Sequence, residues 1–235
     1  MMSSFLFFIL VAASPQDPII EWDHFINSVR DGTIRKEEAE SQFPAIFNSL
    51  KDVCRKYLFK RVPSWVFPLE GYGIKDIGAG GFKPGIRYGS SPIKGYNFYD
   101  GDRHGGHPAY DIFIRDRDQD ALDDASKKPV MVLAPVDLLI LSVACDWESG
   151  SEIRGGRYVW ALDPLQDQIF YFAHLNEVHA RAGAYNKAGS VIGTVGRTGK
   201  NAAPGRSPTH LHLMVLTAKG SALVPFDFID KLRIH

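Results

Sequence analysis

From Ile19 to about Phe59 apolar residues recur at three- and four-residue intervals. Ile20, Phe25, Ile26 and Val29 form one series, and Phe43, Ile46, Phe47, Leu50, Val53 and Tyr57 form a second. That spacing predicts two or three short amphipathic helices. Asp31-Gly32 separates them, and Thr33 stands where the N-cap of the following helix is expected, with Glu37 and Glu38 near its positive end. The reciprocal capping pair is absent, because Lys36 occupies the position that needs Glu or Gln. Pro63 and Pro68 mark a boundary, and beyond them the pattern becomes short apolar or aromatic runs divided by Gly, Asn, Asp and Pro, the texture of strands and turns. Strands are predicted at Ile112 to Ile114, at Tyr158 to Leu162, at Ile169 to Leu175, at Val191 to Gly196 and at Thr209 to Leu216. Pro129 to Val143, interrupted by Pro135 and Asp137, is read as two more. The chain is therefore mainly β, preceded by a small helical region.

At the start, Phe5 to Ala13 is an apolar run too short to span a bilayer as a helix. It has the length of a signal-peptide core, with small residues at a cleavage site near Ala13. No Lys or Arg precedes it, so a buried N-terminal helix is the alternative. The division expected is 1–14 as signal peptide, 15–62 as a helical accessory region and 63–235 as the main domain. The 27 basic and 27 acidic residues cancel, which leaves no electrostatic footprint for nucleic acid or an anionic membrane. Cys54 and Cys145 include no CxxC pair, so a thiolate zinc finger is excluded. They are read either as one disulfide or as two free buried thiols.

The candidate chemistry lies in histidines. In a strand, His210 and His212 share a face about 7 Å apart at the backbone, and two such imidazoles can ligate a metal or move protons. His107 and Asp111 in one extended strand would stand about 13 Å apart, too far for one ion with ligands at about 2 Å. The glycines and Pro108 between and before them imply a turn that brings them together. One His and one Asp from a turn, with a His from a distant strand, make a tripod with an open position, as catalytic zinc requires. His174 closes an apolar run, where a polar side chain can leave the core for a cleft. His24, His179 and His235 are read as surface residues, and Tyr99 and Tyr110 as packing. The aspartates from Asp116 to Asp124 resemble an EF-hand loop only in part, since Ala121 replaces its glycine and Lys127 its glutamate. A solvated hairpin loop is the expectation there.

Taken in order, Gly105-Gly106-His107 with Asp111, Tyr171-Phe172-Ala173-His174-Leu175, Gly193-Thr194-Val195-Gly196-Arg197-Thr198-Gly199 and His210-Leu211-His212 resemble the lysostaphin-like (LytM-type) zinc metalloendopeptidases, over roughly Pro63 to Val215. The resemblance implies an antiparallel β core with a groove, of the duplicated hybrid motif type. It implies one zinc ion held by His107, Asp111 and His212, with His174 and His210 as the non-ligand pair. It also implies hydrolysis of peptide bonds in bacterial cell-wall peptidoglycan by an exported enzyme of the periplasm, cell envelope or extracellular space. His104 is the alternative to His107, and the family register favours His107. Ala109 stands where the family has glycine and Leu213 where it has phenylalanine, and the loop before His210 is longer than usual. A binding or regulatory module that does not cut, and a zinc peptidase of non-wall protein, are the alternative functions.

Overall fold

The structure, a computed structural model, describes residues 17–78 and 95–232. The expected signal peptide, the glycines from Gly80 to Gly89 and His235 lie outside the described residues.

Helix α1 (Pro18–Asp31) starts where the Asp17 carboxylate takes the Ile19 N–H at 2.9 Å and Pro18 fills the first turn, a position that needs no donor. Gly32 ends it in the left-handed region at φ 67°. Helix α2 (Lys36–Cys54) has Arg35 at its N-cap position without a side-chain cap. Thr33, expected there, instead donates its hydroxyl to the Ser28 carbonyl. It therefore closes α1 rather than opening α2. The buried faces, Trp22, Phe25, Ile26 and Val29 on α1 and Phe43, Ile46, Phe47 and Leu50 on α2, follow the apolar spacing of the sequence.

A 3-10 segment, Phe98–Arg103, leads to the strands β1 (Ala109–Phe113), β2 (Met131–Leu133), β3 (Leu138–Ala144), β4 (Arg157–Asp163), β5 (Gln168–Val178), β6 (Tyr185–Asn186), β7 (Val191–Val195), β8 (His210–Lys219) and β9 (Ala222–Pro225). Every pairing is antiparallel, and the main path runs β1-β8-β5-β4-β3-β6. Strand β7 joins β5 and β2, and β9 extends β8. A last helical turn, α3 (Ile229–Leu232), follows.

The central strands are buried on both faces because successive side chains point to opposite sides. Phe170, Phe172, Leu211, Leu213 and Val215 enter one core with Trp65 and Phe228. Trp160, Ile169, Ala173, Met214 and Leu216 enter a second, which α1 and α2 cover. The helices thus pack on part of the sheet face that carries His210 and His212.

The charged excursion differs from the solvated loop expected. Asp116 and Asp123 are only 7 % and 4 % exposed. Asp116 accepts the N–H groups of Asp120 and Ala121, and Asp123 accepts the Tyr72 hydroxyl and pairs with Arg115. The turn is built on inward carboxylates whose lone pairs replace the missing backbone partners. Cys54 and Cys145 are free; Cys54 is buried, whereas Cys145 is exposed, against the expectation of two buried thiols.

Candidate metal centre and proton-transfer pair

Strand register brings the distant residues together. On adjacent strands β1 and β8, Asp111 lies directly opposite His212 and Phe113 opposite His210, and β5 places Ala173 against His212 on the other side. Residues opposite one another in an antiparallel pair share a face with Cβ atoms about 5 Å apart. His107 reaches the same point from the turn before β1, where Gly106 has φ 73°.

The His212 Nδ1 atom lies 3.1 Å from Asp111 Oδ1 and 3.1 Å from His107 Nε2, and His107 Nε2 lies 3.4 Å from Asp111 Oδ1. Ligands tetrahedral about one zinc, with bonds near 2.0–2.2 Å, stand about 3.3–3.6 Å from one another. The three atoms therefore have nearly the spacing a single ion imposes, and two imidazoles with one carboxylate are donors zinc accepts. Burial alone would raise the Asp111 carboxyl, but hydrogen bonding to His107 and His212 outweighs it and holds the group well below the ordinary carboxylate range. Burial lowers the His212 imidazole, partly offset by Asp111, so its neutral, lone-pair-bearing form is favoured. His104 is not in this group. Its ring faces Tyr96, and its Nδ1 lies 3.1 Å from the Gly105 carbonyl.

His174 and His210 stand beside the three. Their ring centroids are 4.9 Å apart, and that of His174 is 5.7 Å from that of His212. The Nδ1 atom of His210 lies 2.7 Å from the Pro208 carbonyl, and that of His174 lies 2.8 Å from the Thr198 carbonyl. A carbonyl only accepts, so each Nδ1 carries a proton, which leaves the Nε2 edge of each ring as the one available to the site. Burial, reinforced by the neighbouring imidazoles, pushes His174 down to about 3, which keeps it neutral at physiological pH.

His174 arrives by a departure from strand alternation. Phe170, Phe172 and Leu175 face one core while Tyr171 and Ala173 face the other. Simple alternation would turn His174 away from the site. The β4–β5 register shifts here, and His174 takes φ 65°. Such a bulge inserts one residue and re-aims a side chain. Three contributors were not singled out from sequence alone. The Thr198 hydroxyl donates to the Leu175 carbonyl and accepts the Arg157 N–H, which holds the Thr198 carbonyl under His174. Arg197 ties down the loop before His210 through the Ser207 and Pro204 carbonyls. Asp116 accepts the hydroxyl of Thr209, next to His210, at 2.5 Å. Thr198 and Arg197 fall within the glycine-flanked motif; Asp116 carries no local signal. Tyr99 and Tyr110 are buried, His179 pairs with Glu177 at the surface, and His24 is exposed.

All five residues line one cavity of about 380 Å³. No protein-family model matches the chain, and no curated protein matches it. Among solved structures, a LytM protein from Ruminococcus gnavus is 23% identical with TM-score 0.40, covering 53% of this chain and 45% of its own. The catalytic domain of lysostaphin from Staphylococcus simulans is 19% identical with TM-score 0.40, covering 75% of this chain and 93% of its own. A zinc-containing peptidase from Vibrio cholerae is 17% identical with TM-score 0.42, covering 73% of this chain and 40% of its own. The chain spans less than half the length of the first and third. It is similar in these comparisons to LytM- and lysostaphin-type peptidases.

Proposed function

We propose that the protein is a zinc-dependent endopeptidase of the lysostaphin-like type that hydrolyses peptide bonds in bacterial peptidoglycan, in cross-bridges or stem peptides. The observation that carries this reading is the close approach of His107 Nε2, Asp111 Oδ1 and His212 Nδ1 beside two imidazoles whose Nδ1 atoms are each held on a backbone carbonyl. His107, Asp111 and His212 are the proposed ligands. Zinc bound there would supply a Lewis acid that polarises a carbonyl and acidifies water. The order of sequence motifs supports the choice of zinc and of a wall peptide as substrate. The expected apolar leader supports an exported protein, and no helix among the described residues is long and apolar enough to cross a membrane.

In this reading His210 is the general base. Its Nδ1–H, held on the Pro208 carbonyl, aims an Nε2 lone pair into the site, and its edge lies 3.8 Å from Asp111 Oδ1. His174 starts neutral with the same tautomer, so it is an acceptor first. It becomes a donor to developing negative charge or to the departing amine only after taking a proton. The negative charge of the transition state favours that protonation, against the burial that opposes it in the resting protein. Both residues then shuttle protons between the attacking water and the leaving amine.

The test is metal analysis of purified variants combined with mass analysis of fragments released from isolated cell walls. His107→Ala and His212→Ala are expected to lose both zinc and hydrolysis. His210→Ala is expected to keep zinc and lose turnover by roughly 100- to 10,000-fold. A His210→Ala protein purified without metal would overturn the assignment of roles, and walls left intact by zinc-loaded wild type would overturn the substrate.

A further inference from the structure

Over the whole chain 27 basic and 27 acidic residues cancel, but the fold does not spread them evenly. The segment after α2, Arg55-Lys56-Tyr57-Leu58-Phe59-Lys60-Arg61, contains no carboxylate. It lies against β6, at the edge of the sheet farthest from β1. Tyr57 stacks on Tyr185 with ring centroids 5.4 Å apart, and Phe59 meets Tyr185 edge-on at 5.0 Å. The Tyr185 hydroxyl lies 3.1 Å from the Leu58 carbonyl. With both neighbouring rings and its own carbonyl held there, Leu58 turns its side chain outward and is 77 % exposed. The start of α1 reaches the same place. The Tyr57 hydroxyl donates to the Gly183 carbonyl, and a Cβ on Gly183 would lie 4.0 Å from Ile19 Cγ1. Ile20, the next residue, is 50 % exposed. Arg181 and Lys187, on either side of Gly183, are exposed as well. Among the described residues Arg55 pairs with Asp52, whereas Lys56, Lys60, Arg61, Arg181 and Lys187 have no ion-pair partner. The carboxylates of this side are turned inward or engaged. Asp137 is buried and accepts the Lys60 and Ala188 N–H groups, Asp163 is buried near Arg61, and Asp17 caps α1, which leaves Glu21 of its first turn.

We propose that this face is a peripheral docking surface for a bilayer that carries anionic phospholipids. The cations attract the headgroups, and Leu58 and Ile20, with the Tyr57 ring, enter the boundary between headgroup and acyl chain. The exposed apolar side chains decide between a membrane and a soluble polyanion, because only the membrane removes them from water. In sequence the apolar run Phe5 to Ala13 leads into α1 at this same face, so a bilayer that receives the run lies alongside it. The face is remote from the candidate metal centre. Strand β6 pairs with β3 at Leu138 and Leu139, whereas Tyr158, which lines the cavity, pairs with Ala144 at the other end of β3. Helix α1 covers the interval, about 17 Å from Ile19 to Arg30 at 1.5 Å per residue, and Arg30 lines the cavity. The docked protein therefore holds its cavity away from the lipid. Docking requires neither metal nor turnover, so it stands independently of the peptidase reading.

The test is co-sedimentation of the full-length chain with vesicles of phosphatidylcholine alone or mixed with phosphatidylglycerol. Binding is expected to the mixed vesicles only, and to weaken as salt rises. Lys56→Gln combined with Lys60→Gln is expected to weaken it roughly 25-fold, at about fivefold per cation. Leu58→Ser is expected to weaken it by roughly tenfold or more. Arg117→Gln combined with Lys128→Gln removes the same charge from the excursion after β1, at the opposite edge of the sheet, and is expected to leave binding unchanged. Thermal melts report whether each variant is folded. An equal loss in the two double variants overturns the docking face, as does equal binding of wild type to neutral vesicles, which the apolar leader alone would produce. Competition by soluble polyphosphate, together with undiminished binding by Leu58→Ser, overturns the bilayer in favour of an anionic polymer.

Discussion

His174 is the residue at which local rules fail most clearly. A buried, non-glycine side chain in the left-handed region costs about 1–3 kcal/mol and persists only where its surroundings over-determine it. Here the His174 N–H donates to the Gly155 carbonyl at 2.9 Å and the ring donates to Thr198. Gly199 leaves room for that ring. At φ 106°, an added Cβ would lie 2.3 Å from the Arg154 carbonyl oxygen and 2.9 Å from His174 Nδ1. Gly199→Ala is therefore expected to displace His174 and reduce turnover by about 100-fold, as small misplacements of catalytic groups do. Zinc content, measured on the same sample, should remain that of wild type. The presence of His174 in a cleft was legible as the polar end of an apolar run. Its placement on the His210 face was not, because alternation assigns it to the opposite face.

Among the elements, β1 and β8 matter most, since their register sets Asp111 across from His212. The sequence indicates both strands by apolar alternation, but pairing between residues about a hundred positions apart has no local signature. The turn after β1 supports β8 in a way composition concealed. Asp116 accepts from two backbone N–H groups and from the Thr209 hydroxyl, and so joins the charged excursion to the start of the strand bearing His210. Asp116→Ala leaves these donors without partners, and each unsatisfied buried donor costs about 1–3 kcal/mol. With roughly 2–4 °C lost per kcal/mol for a chain of this size, the variant should melt several degrees lower. An unchanged melting temperature would mean that the turn does not brace β8.

For the whole molecule, acid is the expected weakness. His174 falls from an ordinary 6.5 to about 3 on folding, so the unfolded chain binds the proton more readily between those values. Its contribution is complete above about pH 6.5 and is lost as pH falls toward 3. The depressed Asp111 carboxyl acts in the same direction at lower pH. Denaturant titrations of metal-free protein should show stability falling across this window, and His174→Asn should flatten the slope. Metal works in the opposite sense. An ion that binds only the folded state at 100 times its Kd adds about 2.7 kcal/mol, so zinc should raise the melting temperature of wild type, and chelator should abolish the rise. His212→Ala should respond to neither.

The division between sequence and tertiary structure follows the range of the interactions. Amphipathic spacing, the Asp31-Gly32 break and the apolar β runs determined most helices and strands, because periodicity and turn chemistry act within a few residues. The short strands β6 and β9 and the turn α3 carry too few residues to register. The paired histidines on β8 and the candidate set of five polar side chains were also present in the chain as motifs. Tertiary structure alone decided that His107, Asp111 and His212 meet within 3.4 Å, that a bulge turns His174 toward them, and that α1 packs against the sheet face that bears them. Each of these depends on long-range strand register and on helix-to-sheet packing, which arise only when distant segments bury their apolar faces together.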